Sequence, residues 1–140
     1  MQTTFSVNTH GQGLYEATRD VTRWLAETSI GGSGLLTLFV CHTSASLLIQ
    51  ENADPEVQTD LRNFFTRLVP PTTDPSMSYL THTYEGSDDM PAHIKAAMMP
   101  VSLTIPIADG RLVLGTWQGI YLFEHRDAPH TRQIAAHISR

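Results

Sequence analysis

From Val101 to the C-terminus the chain reads as β-type runs in hairpin succession, and this tail constrains the fold class more than any other segment. Val101–Ile107, a turn at Asp109-Gly110, and Arg111–Trp117 predict a hairpin, Asp-Gly being a turn pair that hairpins favour. Ile120–His125 and Thr131–Ile138 read as two further strands. Strands joined in this way pair antiparallel. Helices and strands do not alternate regularly along the chain. The expected fold is therefore α+β: a mainly antiparallel, sandwich-like sheet with two longer helices and one short helix, in one domain over residues 1–140.

The first half supplies the helices. Met1–Thr9 alternates weakly and predicts a strand. Leu14, Ala17, Val21, Trp24 and Leu25 recur at helical spacing, which predicts an amphipathic helix ending before Gly31-Gly32. Leu35–Val40 is a continuous apolar run, the pattern of a strand buried on both faces, and Ala45–Ile49 follows as another strand. Asp54-Pro55 supplies an N-cap with proline at the first helical position. Val57, Leu61, Phe64, Phe65 and Leu68 mark the apolar stripe of that helix, which stops at Pro70-Pro71. Pro70–Ser78 reads as a loop, and Asp88-Asp89-Met90-Pro91 starts the short helix with Ile94, Ala97 and Met98 as its buried face.

Charge and composition exclude several functions. The net charge is −5 and no basic stripe exists to follow a phosphate backbone, which argues against nucleic acid. Leu35–Cys41, the longest apolar stretch, is far too short to span a bilayer, and Met1–Gln12 lacks the basic-then-apolar pattern of a secretory signal. One cysteine, Cys41, allows no intrachain disulfide and fits a reducing compartment. The expectation is a cytoplasmic protein.

The chemistry concentrates in histidines, seven of them, four beside other reactive groups. His42 ends the run Leu35–Val40 within Cys41-His42-Thr43-Ser44, and His82 falls on an expected strand after the proline loop. His93 lies one helical turn after Asp89, so imidazole and carboxylate share a face. His125 sits between Glu124 and Arg126 at a strand end. Neutral imidazole suits zinc and similar ions, and a catalytic zinc commonly keeps three protein ligands with an open position. Against this, any single histidine is as well explained by ordinary hydrogen bonds, and no short metal signature such as HExxH is present. Asp88-Asp89 can hold a hard cation or cap the short helix. Asp54 caps its helix, and Glu51 and Asn52 stay open. Lys95, the only lysine, can aim its charge at a phosphate or lie in solvent on a helix face. Gly115-Thr116-Trp117-Gln118-Gly119 brackets an aromatic with glycines, either a ring-stacking platform or a bulge with a packed Trp. It lacks the lysine and spacing of a P-loop, Ser44 lacks a nucleophile-elbow context, and Cys41 reads as structural.

Longer blocks carry a resemblance. His42-Thr43-Ser44-Ala45, Glu51-Asn52-Ala53-Asp54-Pro55, Gly86-Ser87-Asp88-Asp89-Met90-Pro91-Ala92-His93-Ile94-Lys95, Ile105-Pro106-Ile107 and Gly110-Arg111-Leu112 resemble the YjbQ family in order and spacing. Leu114-Gly115-Thr116-Trp117-Gln118-Gly119-Ile120-Tyr121 and Glu124-His125-Arg126 complete the pattern. The resemblance implies a compact α+β fold, a homotrimer with sites near subunit interfaces, and the activity of secondary thiamine-phosphate synthases. That activity joins a pyrimidine pyrophosphate to a thiazole phosphate. It also implies that His42, His82 and His93 bind a divalent metal ion, zinc or magnesium.

Taken together, the expected enzyme is a metal-assisted transferase on a small phosphorylated substrate. Glu124, His125, Asp89 and Lys95 are its catalytic candidates, with Glu124 or His125 moving a proton. Asn52, Asp88, Trp117, Gln118 and Arg126 are its substrate-binding candidates; Asp88 and Asp89 would aid the cation, Lys95 and Arg126 the phosphate, and Trp117 the ring. The alternative is a non-catalytic, metal-dependent homo-oligomer in which the histidines only hold subunits together. A second alternative for Glu124 and Arg126 is a surface ion pair with one another.

Overall fold

Strand formation in the computed structural model, which describes all 140 residues, follows the β-rich pattern of both ends of the chain. The elements run β1 (Gln2–Thr9), β2 (Gly13–Glu16), α1 (Thr18–Glu27), β3 (Gly34–Val40), β4 (Ala45–Glu51), α2 (Pro55–Leu68), α3 (Asp89–Met98), β5 (Ser102–Ala108), β6 (Arg111–Leu112), β7 (Gln118–Glu124) and β8 (His130–Ser139). A single 3₁₀ turn, Pro75–Met77, sits in the proline loop. The strands form two sheets, β1-β8-β3-β5-β6 and β2-β7-β4, with every neighbouring pair antiparallel. The α+β, sandwich-like expectation holds. No helix is long and apolar enough to cross a membrane.

The inward rows of the strands fill the space between the sheets. Leu36, Leu38 and Val40 of β3 meet Ile134, Ala136 and Ile138 of β8, and Leu47, Ile120 and Leu122 face them from the smaller sheet. Helix α1 adds Val21 and Leu25 to the same cluster. Helix α2 begins as its sequence dictates, with Asp54 Oδ1 accepting from the Glu56 amide at 2.9 Å and Pro55 at the first position. The β5–β6 turn has positive φ at both Asp109 (49°) and Gly110 (72°), the geometry of a tight two-residue hairpin loop. A Cβ on Gly110 would also stand 2.7 Å from the Ile30 carbonyl oxygen, so glycine is required there.

Several local expectations are overturned. Leu14 belongs to β2, opposite Phe123, and not to the helix. Its spacing to Ala17 and Val21 imitates a helical repeat, but the four-residue strand is too short to declare its own period. Strand β3 is not buried on both faces: Leu35 and Phe39 are 46% and 47% exposed. The doubly covered strand is β7, because α2 packs across its back, with Phe65 edge-on to Phe123 at 5.8 Å. The α2 stripe is only partly covered, since Phe64 and Leu68 point outward. Strand pairing beyond Leu112 dies out because Pro106 has no N–H to give Val113, leaving one bond from the Val113 amide to Pro106. His82 lies in irregular chain, not on a strand. Helix α3 turns the opposite way from its apolar pattern, burying Asp89, Pro91, Ala92 and Lys95 and exposing Met98.

Candidate functional site

The rotation of α3 decides the site. With Asp89 turned inward, its carboxylate becomes the meeting point of the loop before α3, of α3 itself and of the chain that follows β7. His82 Nε2 lies 2.8 Å from Asp89 Oδ2, and His93 Nε2, one turn along α3, lies 3.3 Å from the same oxygen. The other oxygen, Oδ1, accepts from Arg126 Nη1 at 2.7 Å. Both imidazoles stay about one-third exposed while Asp89 is buried, so the cluster opens to solvent on the histidine side. Burial pushes the Asp89 carboxyl upward, but its hydrogen bonds and the nearby Arg126 and His93 charges outweigh this and hold it below the usual carboxylate range.

Neither aspartate caps α3. Asp88 Oδ2 accepts from Arg126 Nε and from the Asp127 amide, both at 2.9 Å. Arg126 therefore clamps two adjacent carboxylates, and its Nη2 also reaches the Glu85 carbonyl at 3.2 Å. This ties the start of α3 to the end of β7. Arg126 makes no pair with Glu124, so the surface-pair alternative is replaced.

Glu124 is fully buried inside the sandwich. Its carboxylate accepts from Arg132 Nε (2.8 Å) and Nη2 (2.7 Å), Thr9 Oγ1 (2.6 Å), and the amides of His125 (3.0 Å) and Arg126 (3.2 Å). No lone pair is left for a substrate proton, so a structural anchor replaces the expected proton-transfer role. Arg132 and Thr9 were not singled out from the sequence, and Ser44, weighed there only as a nucleophile, completes the arginine's contacts at 2.9 Å. The signal was present: Ile134, Ala136 and Ile138 define the inward row of β8, and Arg132 is the next member of that row.

His125 points the other way, toward α2 and α3. Its Nε2 pairs with Ser46 Oγ at 2.9 Å, and its Nδ1 is buried without a partner. Burial first, then the Lys95 charge, lowers its pKa to about 3, so it is a neutral ring at neutral pH. Lys95, expected in solvent or at a phosphate, is only 2% exposed, and its Nζ donates to Gln12 Oε1 at 2.7 Å. Burial pulls its pKa down, against the opposing pull of Asp127 and Asp88.

His42 stands apart from the Asp89 cluster. Its Nε2 accepts from the Gln133 amide at 2.8 Å, with burial and Arg132 lowering its pKa and so keeping it an acceptor. The three atoms within 4.8 Å of one another belong to His82, Asp89 and His93. Asn52, Trp117 and Gln118 gather at the opposite end of β7, where the Asn52 amide bonds the Trp117 carbonyl at 2.9 Å. The length of β7 puts them roughly 20 Å from His125, at about 3.3 Å per residue.

Two imidazoles and one carboxylate are ligand types that a transition ion takes. Bond lengths of about 2.0–2.1 Å around a tetrahedral zinc imply ligand separations of about 3.3 Å; the His93–Asp89 pair has that spacing, while His82 and Asp89, hydrogen-bonded at 2.8 Å, would have to part slightly. Two imidazoles favour zinc-type ions over magnesium, which prefers oxygen ligands and keeps its waters.

The molecule is thus an α+β protein of two antiparallel sheets carrying a half-open His–Asp–His cluster pinned by an arginine clamp. The sequence model of the family described as UPF0047 protein YjbQ-like matches residues 3–140, and the chain belongs to that family. It is 48% identical over 133 residues to UPF0047 protein sll1880 of Synechocystis, covering 95% of this chain and 87% of that protein. It is 42% identical over 135 residues to UPF0047 protein YjbQ of Escherichia coli O157:H7, covering 96% and 94%. Among solved structures, a YjbQ/UPF0047-family protein of Clostridium acetobutylicum aligns with a TM-score of 0.84 at 33% identity, covering 98% of this chain and 99% of that one. The hypothetical protein APE1520 of Aeropyrum pernix aligns at 0.85 with 28% identity, covering 99% and 98%.

Proposed function

We propose that this chain is a metal-assisted enzyme acting on a small phosphorylated substrate at the His82–Asp89–His93 cluster. The convergence of two imidazole nitrogens and one carboxylate oxygen at a half-open surface carries the proposal, because three protein ligands and a free side are what a catalytic zinc uses. A divalent ion held there would act as a Lewis acid toward a departing phosphate or pyrophosphate oxygen. Asp89 supplies an ionised oxygen whose partner oxygen is already neutralised by Arg126, which fixes the carboxylate's direction. Asp88 holds the guanidinium in place. The buried Lys95 charge lies behind this layer, and neutral His125 adds no second cation. The reaction that the YjbQ resemblance suggests is the joining of a pyrimidine pyrophosphate to a thiazole phosphate.

We place this site in a homotrimer. The outer face of the larger sheet presents Leu35, Phe39, Pro106 and Ala135 among Thr, Ser, Gln and His, with no Lys, Arg, Asp or Glu on β3. With charge confined to Arg111 at the β6 edge, and Leu35 and Phe39 half-exposed on β3, this face suits a second copy of the same chain. Assembly is also what would let Asn52, Trp117 and Gln118 of a neighbouring protomer approach the cluster.

Elemental analysis of tag-free protein tests the metal. About one zinc-type ion per chain is expected, lost in His82→Ala and His93→Ala and kept in His42→Ala. Metal content unchanged by the first two variants would remove the site. Thiamine-phosphate formation from its two phosphorylated precursors tests the reaction, and Asp89→Asn should lower turnover by about 10²-fold or more. Stoichiometric metal with no turnover on any phosphorylated substrate would favour the non-catalytic oligomer.

A further inference from the structure

A second cavity, about 370 Å³, opens between β2 and α2, with His10, Gln12, Tyr15, Gln58, Thr59 and Arg62 as its polar walls. Its volume lies in the range of small-ligand sites. No carboxylate lines it, although the chain carries a net charge of −5.

Its polar walls are held by the protein itself. The Tyr15 hydroxyl donates to the Gly11 carbonyl at 2.8 Å and accepts from the His10 amide at 3.0 Å. Gln58 Nε2 donates to the Tyr121 hydroxyl at 2.9 Å, and Thr59 Oγ1 to the Pro55 carbonyl at 3.3 Å. Gln12 is fixed at both ends, by Lys95 Nζ on its oxygen and by Asp127 Oδ1, which its Nε2 reaches at 2.7 Å. Two lining side chains remain without a hydrogen bond or an ion pair: the Arg62 guanidinium and the His10 ring. Both are exposed at the mouth of the cavity and carry N–H donors that no protein group takes up. His10 stands edge-on to Tyr15, ring centroids 5.3 Å apart. The Arg62 stem runs beside Gly13, where a Cβ would come within 3.8 Å of Arg62 Cδ.

We infer that this cavity is an oxyanion site, taking a phosphate or pyrophosphate group through a bidentate contact from Arg62 and a donor from His10. A planar guanidinium matches two oxygens of such an anion. Under the proposed function it would hold the phosphoryl tail of the substrate, and in that use alone it rests on that proposal. Gln12 links it to the other centre, through Asp127, whose amide bonds Asp88, and so to the Arg126 clamp.

The test is binding of inorganic phosphate and of pyrophosphate to metal-free protein, followed by amide NMR shifts and calorimetry. Saturable shifts at residues 10–15 and 55–62 are expected. Arg62→Gln should weaken binding at least tenfold and Arg62→Lys less. His10→Phe should weaken it by a smaller factor. Arg19→Gln alters the acidic cavity lined by Glu16 and Asp20, and should leave affinity unchanged. Shifts spread over the surface with no saturation, or Arg62→Gln binding as tightly as the parent, would overturn the inference. Because neither metal nor turnover enters this readout, failure here leaves the His82–Asp89–His93 proposal standing. Phosphate binding in a chain that holds no metal would do the reverse.

Discussion

Replacing Glu124 by Gln keeps the side chain's size and removes its charge at a position that water does not reach. Arg132, itself buried, would then keep its guanidinium in the sandwich with no counter-ion. The amide NH₂ would also face the Arg132 donors or the two backbone amides that now point at a carboxylate. Breaking one partner of a buried pair costs about 3–5 kcal/mol. Unfolding entropy of about 2.1 cal/mol/K per residue gives roughly 0.3 kcal/mol/K for a chain of 140 residues, so the expected fall in Tm is about 10–17 °C. Thermal melts by circular dichroism, at one fixed protein concentration because assembly shifts Tm, would measure it. The double variant Glu124→Gln, Arg132→Met removes both charges and should recover much of the loss, as apolar replacements of buried pairs often do. Acidity gives a second check. Burial raises the Glu124 pKa, the Arg132 and Thr9 hydrogen bonds lower it by more, and the net direction is downward. Its contribution is therefore present above the unfolded carboxylate pKa and is lost as pH falls through the folded value. The gap between parent and variant should narrow in acid. A Tm change under about 3 °C at neutral pH, or a gap that widens in acid, would refute the assignment of Glu124 as a buried ionised anchor.

His125, whose pKa drops from 6.5 to about 3, favours the folded state only when neutral. Its contribution is complete above pH 6.5 and falls by about 1.4 kcal/mol per pH unit between there and about pH 3. Urea unfolding at pH 7, 6 and 5 should show this slope in the parent and its loss in His125→Asn; equal slopes would refute it. Phe39→Lys places a charge at the half-exposed centre of the larger sheet's outer face, and light scattering should then report dissociation from about three chains toward one. A particle mass unchanged by Phe39→Lys would move the interface elsewhere.

Much of the fold was legible because it rests on local chemistry. Asp54 and Pro55 start α2 through backbone geometry that needs no partner, and Asp109-Gly110 turns the hairpin for the same reason. The alternating strands near both termini likewise declared their period, and the pairing of His93 with Asp89 follows from one turn of helix. What the sequence could not settle depends on which surfaces meet. Helix α3 carries both an apolar row and a polar row, and only its packing on the smaller sheet decides that Asp89 and Lys95 turn inward while Met98 turns out. Glu124, His125 and Arg126 are consecutive, yet they serve the sandwich interior, the helix side and the Asp88–Asp89 clamp. A strand sends neighbouring side chains to opposite faces, and its end frees the third. In sequence His42 ends one expected strand and His82 falls on another, but tertiary structure gives one a backbone amide and the other a carboxylate. The partners of a buried polar group come from distant chain, as with Thr9 and Arg132 around Glu124, and sequence spacing carries no record of that distance.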